Sequence, residues 1–531
     1  IMKKLLFLLL PLFINAQDVA IGQWKDYLSY NSASYICEED EKIYCVASGG
    51  LYYVNKEDMT INRMSKITGL SDVGVKQIAY SKSLDVTVLT YENCNIDLIK
   101  NNQIVNISDI KRKEIAGLKT INNITIDSGT AYLSSSFGLV LVDLEKEEIK
   151  DTYKIGENGN FVSINDCYID DTCIFVGTTD GAYFADKNSN TLFDFNSWTK
   201  HPSFSTEVSE IIVNSWGMLF NNQYPYVKVR NSNEYYLEIG NINISIYQNG
   251  NIISELIADS NFTNIQDAWI DKENNLWIAD SVNSLMKFVN YEYQETFIPE
   301  GPARNDVYSL EFAENKLYQC HGGHANFGAN ALINDGVSIK DDFDDWKNND
   351  YWDLGNARDI LEVAVRNGTE YYASWYNGIP EMKNGALVTK HGFENTNEAL
   401  DTTYYSNNRI RVSDLKFDKN GNLWGLSSEV NHPLFVKTKN GEWHSFTMNQ
   451  SQVDLFFDDL LIDSYNQKWA IIGRGGGVFV YNHNNTIENS ADDQYKLLNT
   501  NVGNGNLPSL QTYSIVEDLD GEIWVGTDKG I

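Results

Sequence analysis

Several clusters in this sequence hold residues whose types and spacing could do chemistry. Cys320-His321-Gly322-Gly323-His324 places a thiol and two imidazoles at close spacing, a set that could hold zinc. Against that, Lys316-Leu317-Tyr318-Gln319 before it reads as a strand and Gly-Gly as its turn, so a loop is the stronger reading. Asp341-Asp342-Phe343-Asp344-Asp345-Trp346 is the densest acidic run. Calcium needs several converging oxygens, and such a run is more often a solvated loop. Gly473-Arg474-Gly475-Gly476-Gly477 lacks the Lys-Ser/Thr that a phosphate loop requires and lies between two strand patterns. The seven histidines form no HExxH, and no G-x-S-x-G elbow is present. No cofactor, metal or catalytic set is therefore expected, and the chain reads as a non-enzyme.

The six cysteines are even in number. Cys37 and Cys45 lie symmetrically about residue 41, and Cys167 and Cys173 symmetrically about Asp170. Each pair flanks an acidic turn and could face across a hairpin, so two disulfides are possible if the geometry allows. Cys94 and Cys320 read as single buried thiols.

The elements that would carry these residues follow from a repeat. Asp418 to Trp424 (DKNGNLW) and Asp518 to Trp524 (DLDGEIW) are two copies, with Asp271 to Trp277 (DKENNLW) and Asp463 to Trp469 (DSYNQKW) as substituted ones. In each, the aspartate can cap its own turn, and Gly421, Gly521 or an Asn can take the positive φ the turn needs. The tryptophan then opens the next strand with a large packing surface. Residues 17–299 carry a degraded second half of the unit, in which Gly50, Gly138 and Gly181 each open an apolar strand. The period is roughly 40–50 residues, which with several short strands per unit is a β-propeller blade. About eleven units exceed the 4–8 blades of one ring. The fold expected is all-β, with two propellers: 17–299 and an incomplete 300–531. The boundary is Pro299-Glu300-Gly301-Pro302, where two of only eight prolines fall.

Composition narrows the function. The formal charge is −32, from 41 Lys+Arg against 73 Asp+Glu, which removes the basic face a nucleic-acid binder needs. Met2-Lys3-Lys4, the apolar run Leu5 to Ile14, then Asn15-Ala16 reads as a secretory signal peptide over 1–16. Gln17 after it is not the cysteine of a lipoprotein. No later apolar run is long enough to form a transmembrane helix. The last residues, Gly526 to Ile531, stop inside a strand pattern, so a longer native chain is expected.

The Asp-turn unit resembles the propeller repeats of Bacteroidota periplasmic regulators. The whole arrangement is closer to the PorZ-like components of the type IX secretion system. The residues that carry this are Ile21-Gly22-Gln23-Trp24-Lys25-Asp26-Tyr27-Leu28-Ser29-Tyr30 after the signal peptide, the degenerate first propeller, the Ile298 to Pro302 junction and the sharper second set of repeats. The resemblance implies two seven-bladed propellers and a C-terminal β-sandwich. It further implies an outer-membrane or cell-surface location and an attachment complex with PorU, PorV and PorQ. The role it implies is non-catalytic help to the sortase that joins cargo to lipopolysaccharide, including binding or delivery of that glycolipid. An alternative is the periplasmic sensor domain of a hybrid two-component regulator, and a third is a glycan-active propeller enzyme.

Overall fold

The structure, a computed structural model, describes residues 22, 24–214, 217–221, 228–232, 234–258, 262–325, 328–341, 345–404, 406, 408–447 and 455–531. The expected signal peptide at 1–16 lies outside the described residues. The chain divides into two compact units between Pro299 and Glu300.

Among the described residues, the first unit holds four-stranded antiparallel sheets at 33–64, 75–107, 121–153, 164–200, 228–257 and 265–297, and a two-stranded sheet at 210–221. Each sheet is a meander of consecutive strands. Neighbouring sheets stack face to face with apolar side chains between them, such as Val88, Leu98, Leu133 and Val140 between the second and third. These are blades of a propeller, numbered one to seven in chain order. The ring closes where blade seven meets blade one. Tyr30, Ile43, Cys45 and Tyr52 pack there on Trp277, Leu285 and Phe297. The Tyr52 hydroxyl donates to the Phe297 carbonyl at 2.8 Å, and the Ser284 hydroxyl donates to the Tyr30 carbonyl at 2.6 Å. No strand is exchanged across this seam among the described residues.

The second unit holds four-stranded sheets at 309–349, 360–391, 412–446 and 457–498 and a two-stranded sheet at 512–527, again stacked in chain order. A short hairpin, His324–Ala325 paired with Ala329–Asn330, is inserted between the second and third strands of its first blade.

The anchor glycines open third strands: Gly50–Asn55, Gly138–Asp143 and Gly181–Asp186. Gly138 has φ +125°, and a Cβ there would lie 2.4 Å from the Tyr153 carbonyl oxygen at the end of the fourth strand. Gly336, Gly378 and Gly477 meet the carbonyls of Asn349, His391 and Leu498 in the same way. The third strand thus starts so close to the fourth that only glycine fits.

Candidate functional site

The repeat turns join the first and second strands of their blades. In each, the aspartate Oδ1 accepts the backbone N–H two residues on and the one four residues on: Glu273 and Asn275 at Asp271, Asn420 and Asn422 at Asp418, Tyr465 and Gln467 at Asp463, Asp520 and Glu522 at Asp518. Asn274, Gly421, Asn466 and Gly521 supply the positive φ. The second oxygen of each carboxylate accepts the tryptophan indole N–H: Trp277 to Asp271 at 2.8 Å, Trp424 to Asp418 at 3.1 Å, Trp469 to Asp463 at 2.9 Å and Trp524 to Asp518 at 2.7 Å. The six-residue Asp-to-Trp spacing therefore closes a hydrogen-bonded ring, a pairing that propensity reasoning on turns and strands does not predict. All these polar groups are consumed by the turn, which leaves it a structural device.

The cysteines correct an expectation. All six are free thiols. The hairpin register pairs Cys37 with Tyr44 and Ile36 with Cys45, so the two thiols project from opposite faces of the sheet. Cys45 joins the seam core and Cys37 the core between blades one and two. Cys167 faces Val176, three residues along the strand from Cys173. Neither pair can be bridged without moving backbone. Burial pushes the Cys37 and Cys45 thiols up to about 12, so they are inert at neutral pH.

The other clusters separate. His321 is buried, with Nδ1 2.9 Å from the Asp306 carbonyl and Nε2 2.7 Å from the Ser338 hydroxyl, while His324 is exposed beside Tyr308 and Trp375. Cys320 lies in the core between the first two blades of its unit. Asp342 to Asp344 lie outside the described residues. Asp341 and Asp345 line a cleft of about 350 Å³ with Glu314, Trp346, Lys347 and Glu370. Among the described residues, no group of three or more His, Cys, Asp or Glu is placed to hold a metal. Arg474 (φ 59°), Gly475 and Gly477 (both φ 81°) form the turn into the third strand of blade four of the second unit.

In both units, charged and amide side chains on the first strands of several blades face the axis and the neighbouring blade. In most blades that strand carries one β-bulge at the same place, as at Ala33/Tyr35, Val75/Gln77, Ile164/Asp166, Ile265/Asp267, Ile360/Glu362 and Val412/Asp414. A bulge leaves its extra residue without a ladder partner and re-aims the side chains beside it. Here they reach the next blade. The amides of Asn122 and Asn165 donate to the carbonyls of Ile164 (2.8 Å) and Val208 (3.0 Å). The carboxylates of Asp166, Glu210, Asp267 and Asp414 accept the N–H groups of Ile211 (2.8 Å), Val229 (3.0 Å), Ile36 (3.0 Å) and Leu460 (2.7 Å). Each rung satisfies backbone that the twist of the ring leaves unpaired.

The electrostatics differ between units. In the first, the fully buried Asp267 is gripped by Arg230 and by Lys228 at 3.1 Å. Burial alone would raise the Asp267 carboxyl, but Arg230 and then Lys228 hold it below the usual range. Burial depresses Lys228 to about 8 and lifts Glu210 to about 7. Both cations also lie over the Tyr35 ring, with Lys228 Nζ at 4.2 Å and Arg230 at 4.3 Å from its centroid. In the second unit, Lys416 lies 3.4 Å from Asp414 and 3.9 Å from Glu362. Burial, then the Asp414 charge, lifts Glu362 and Asp459 to about 7. Above this acidic stack, Leu361, Trp375 and Phe456 form an apolar cluster. The inserted hairpin lies against it: the Trp375 indole donates to the Gly328 carbonyl at 2.9 Å, and the Asn330 amide to the Trp375 carbonyl at 2.8 Å. Such an arrangement binds blade to blade.

The family model for the N-terminal β-propeller domain of PorZ of the type IX secretion system matches residues 43–199. Among solved structures, PorZ from Porphyromonas gingivalis, an essential bacterial surface component of that system, superposes with a TM-score of 0.82 at 23% identity, covering 96% of this chain and 72% of that one. The extracellular domain of the hybrid two-component system BT3049 from B. thetaiotaomicron aligns at a TM-score of 0.31 and 14% identity, covering 97% of this chain and 76% of that one. No curated protein sequence matches the chain. Over residues 43–199 the chain is similar in sequence to the N-terminal propeller of PorZ, and over nearly its whole length it shares the fold of PorZ.

Proposed function

We propose that this chain is a non-enzymatic component of a type IX secretion system at the outer membrane or cell surface, exported by the signal peptide read at 1–16. It works as a rigid scaffold for the sortase that anchors secreted cargo, with partners of the PorU, PorV and PorQ kind. The observation that carries this is the match of residues 43–199 to the PorZ N-terminal propeller. The axes support it, since their carboxylates and amides go into rungs between blades. A frame built this way holds its loops rigidly, which suits presentation of broad binding surfaces. No helix among the described residues is long and apolar enough to cross a membrane.

Lipopolysaccharide binding belongs to the same proposal, under one physical condition. At a formal charge of −32, a phosphate-rich glycolipid is repelled unless divalent cations or uncharged sugar contacts intervene. The test is affinity capture with the tagged chain from outer membranes of the native organism. Recovery of the sortase and its outer-membrane partners is expected, and their absence from native extracts would overturn the reading. Capture bridged by divalent cations should weaken in EDTA, and capture through uncharged sugars should persist there without weakening as salt is added; capture in EDTA that falls with added salt would refute the charge argument.

A further inference from the structure

The two ends of the first ring differ in what they expose. Because each blade is a meander, the loops between blades and the turns between second and third strands lie at one end, the loop end, and the remaining turns lie at the other. Backbone bonds tie the loop end together: the Ser48 N–H donates to the Ser32 carbonyl at 2.8 Å, Val75 to Gly49 at 2.8 Å and Ser281 to Asn264 at 3.0 Å. Among the described residues, the connections at this end expose Ile67, Val73, Leu118, Phe161, Ile242 and Val282, each by 47% or more. The connections at the other end expose one large apolar side chain, Phe193. Single exposed apolar residues are ordinary on a protein surface. Six against one is a bias toward one end, and an end that gathers exposed apolar groups is an interaction surface.

The segment that carries Leu118 is pinned. Lys119 Nζ donates to the carbonyls of Ile110, Lys111 and Lys113 at 3.3, 2.9 and 3.3 Å, and the Ser136 hydroxyl donates to the Leu118 carbonyl at 2.6 Å. Ile110 is buried beneath the segment, and Gly117 takes φ +91°. The backbone is fixed while the Leu118 side chain is 76% exposed, so covering it orders little further chain. Cations flank the apolar tips. Arg112 and Lys113 are exposed on the same segment, and Lys154 Nζ lies 4.5 Å from the centroid of the exposed Phe161 ring. The six apolar side chains stand on five separate connections. A peptide strand follows one line, whereas a fluid apolar layer can meet all five at once. Basic side chains around such tips keep their charge at the headgroups while their stems lie on apolar surface.

We propose that the loop end of the first ring docks on an anionic lipid surface. Leu118 and Phe161 would enter the boundary between headgroups and acyl chains, and Arg112, Lys113 and Lys154 would meet lipid phosphates. The net charge of −32 opposes an anion dispersed in solution, which meets the whole molecule. A plane meets the loop end alone. Six-residue strands place the acidic turns of the other end, such as Asp40-Glu41 and Asp170-Asp171, roughly 20 Å farther from it. That is about two screening lengths at physiological salt. This inference does not depend on the secretion reading, and its test uses no secretion partner.

The test mixes the full chain with vesicles of phosphatidylcholine alone, or of phosphatidylcholine with phosphatidylglycerol, and reads the bound fraction by flotation at physiological salt. The mixed vesicles should be bound roughly tenfold tighter or more, since each cation near an anionic surface contributes about fivefold. Leu118→Ser should weaken binding about tenfold, and Arg112→Glu combined with Lys113→Glu by at least as much. Phe193→Ser, at the other end, should leave it unchanged. These side chains are exposed, so thermal unfolding of each variant should match the parent. In a second measurement, brominated phosphatidylcholine in the mixed vesicles should quench the fluorescence gained by Leu118→Trp and not that gained by Phe193→Trp. Equal binding to both kinds of vesicle, equal loss with Phe193→Ser, or equal quenching at 118 and 193 would each overturn the proposal. A chain that binds neither vesicle would overturn it as well, in favour of an acidic protein partner for the same end.

Discussion

Asp166 and Asp267 occupy equivalent places at the first axis, and comparing them separates two contributions that are usually entangled. Both carboxylates accept the N–H of the next residue and one N–H of the next blade: Cys167 and Ile211 for Asp166, Ala268 and Ile36 for Asp267. Asp166 adds the Asn123 amide, whereas Asp267 adds Arg230 and Lys228. Replacement by Asn keeps the shape and removes the charge. At Asp166 one of two buried N–H groups loses its acceptor, a cost of about 1–3 kcal/mol. The Asp166 carboxyl is already raised by burial, so a neutral side chain is well tolerated there. At Asp267 the same loss occurs and two buried cations lose their partner, which brings the cost to about 3–5 kcal/mol. Asp267→Asn should therefore destabilise the first unit by about 2 kcal/mol more than Asp166→Asn. Hydrogen exchange at the Ile36 and Ile211 amides reads the two rungs separately, and urea unfolding reads the whole. Equal costs, or a larger one at Asp166, would refute the assignment of the seam's strength to the ion pair. The sign with pH is also set. Because the folded Asp267 carboxyl is held below its unfolded value, its contribution is present above about pH 4 and lost as pH falls through the folded value.

At the second axis the sign reverses: Glu362 and Asp459 are lifted to about 7, so stability is greatest below the unfolded carboxyl range and falls as pH rises through 7. Urea melts at pH 5.5 and pH 8 should differ by about 1–2 kcal/mol, and Glu362→Gln should reduce that difference. Trp424→Phe, at a buried turn, should cost about 2–3 kcal/mol by leaving Asp418 short of a donor and opening a void, while Trp524→Phe, 47% exposed, should cost under about 1 kcal/mol in thermal unfolding. Maleimide labelling of the unreduced, unfolded chain should add six adducts by mass spectrometry, whereas disulfides at Cys37–Cys45 or Cys167–Cys173 would leave four or two.

What the sequence reveals here depends on how far apart the interacting residues lie. The Asp-turns can be read from sequence because their parts lie within seven residues, and Asn274, Gly421, Asn466 and Gly521 stand at one fixed position. Gly138 can be read for a similar reason, since there a third strand meets the fourth within its own blade, whereas Gly50 meets the Tyr30 ring and Gly181 the Phe204 carbonyl. The cysteine pairing fails by a single residue. Symmetry about residue 41 puts Cys37 opposite Cys45, but the hairpin pivots between Asp40 and Glu41, with Glu39 facing Lys42, and a slip of one reverses the face. The axial rungs are hidden for a different reason. They depend on a bulge and on a partner 19 residues away for Glu210 and Val229, 42 to 46 away in four other rungs, and 231 away for Ile36 and Asp267.

The seam between blades one and seven joins sheets that are each a single contiguous run of chain. The first ring is a hoop fastened at its ends by side chains and by the Asp267 rung, with no woven strand across the join among the described residues. A pull applied at residues 33 and 297 would load that fastening before any β-ladder. Such a hoop opens at one defined place under tension, and all seven blades would remain intact on either side of the break.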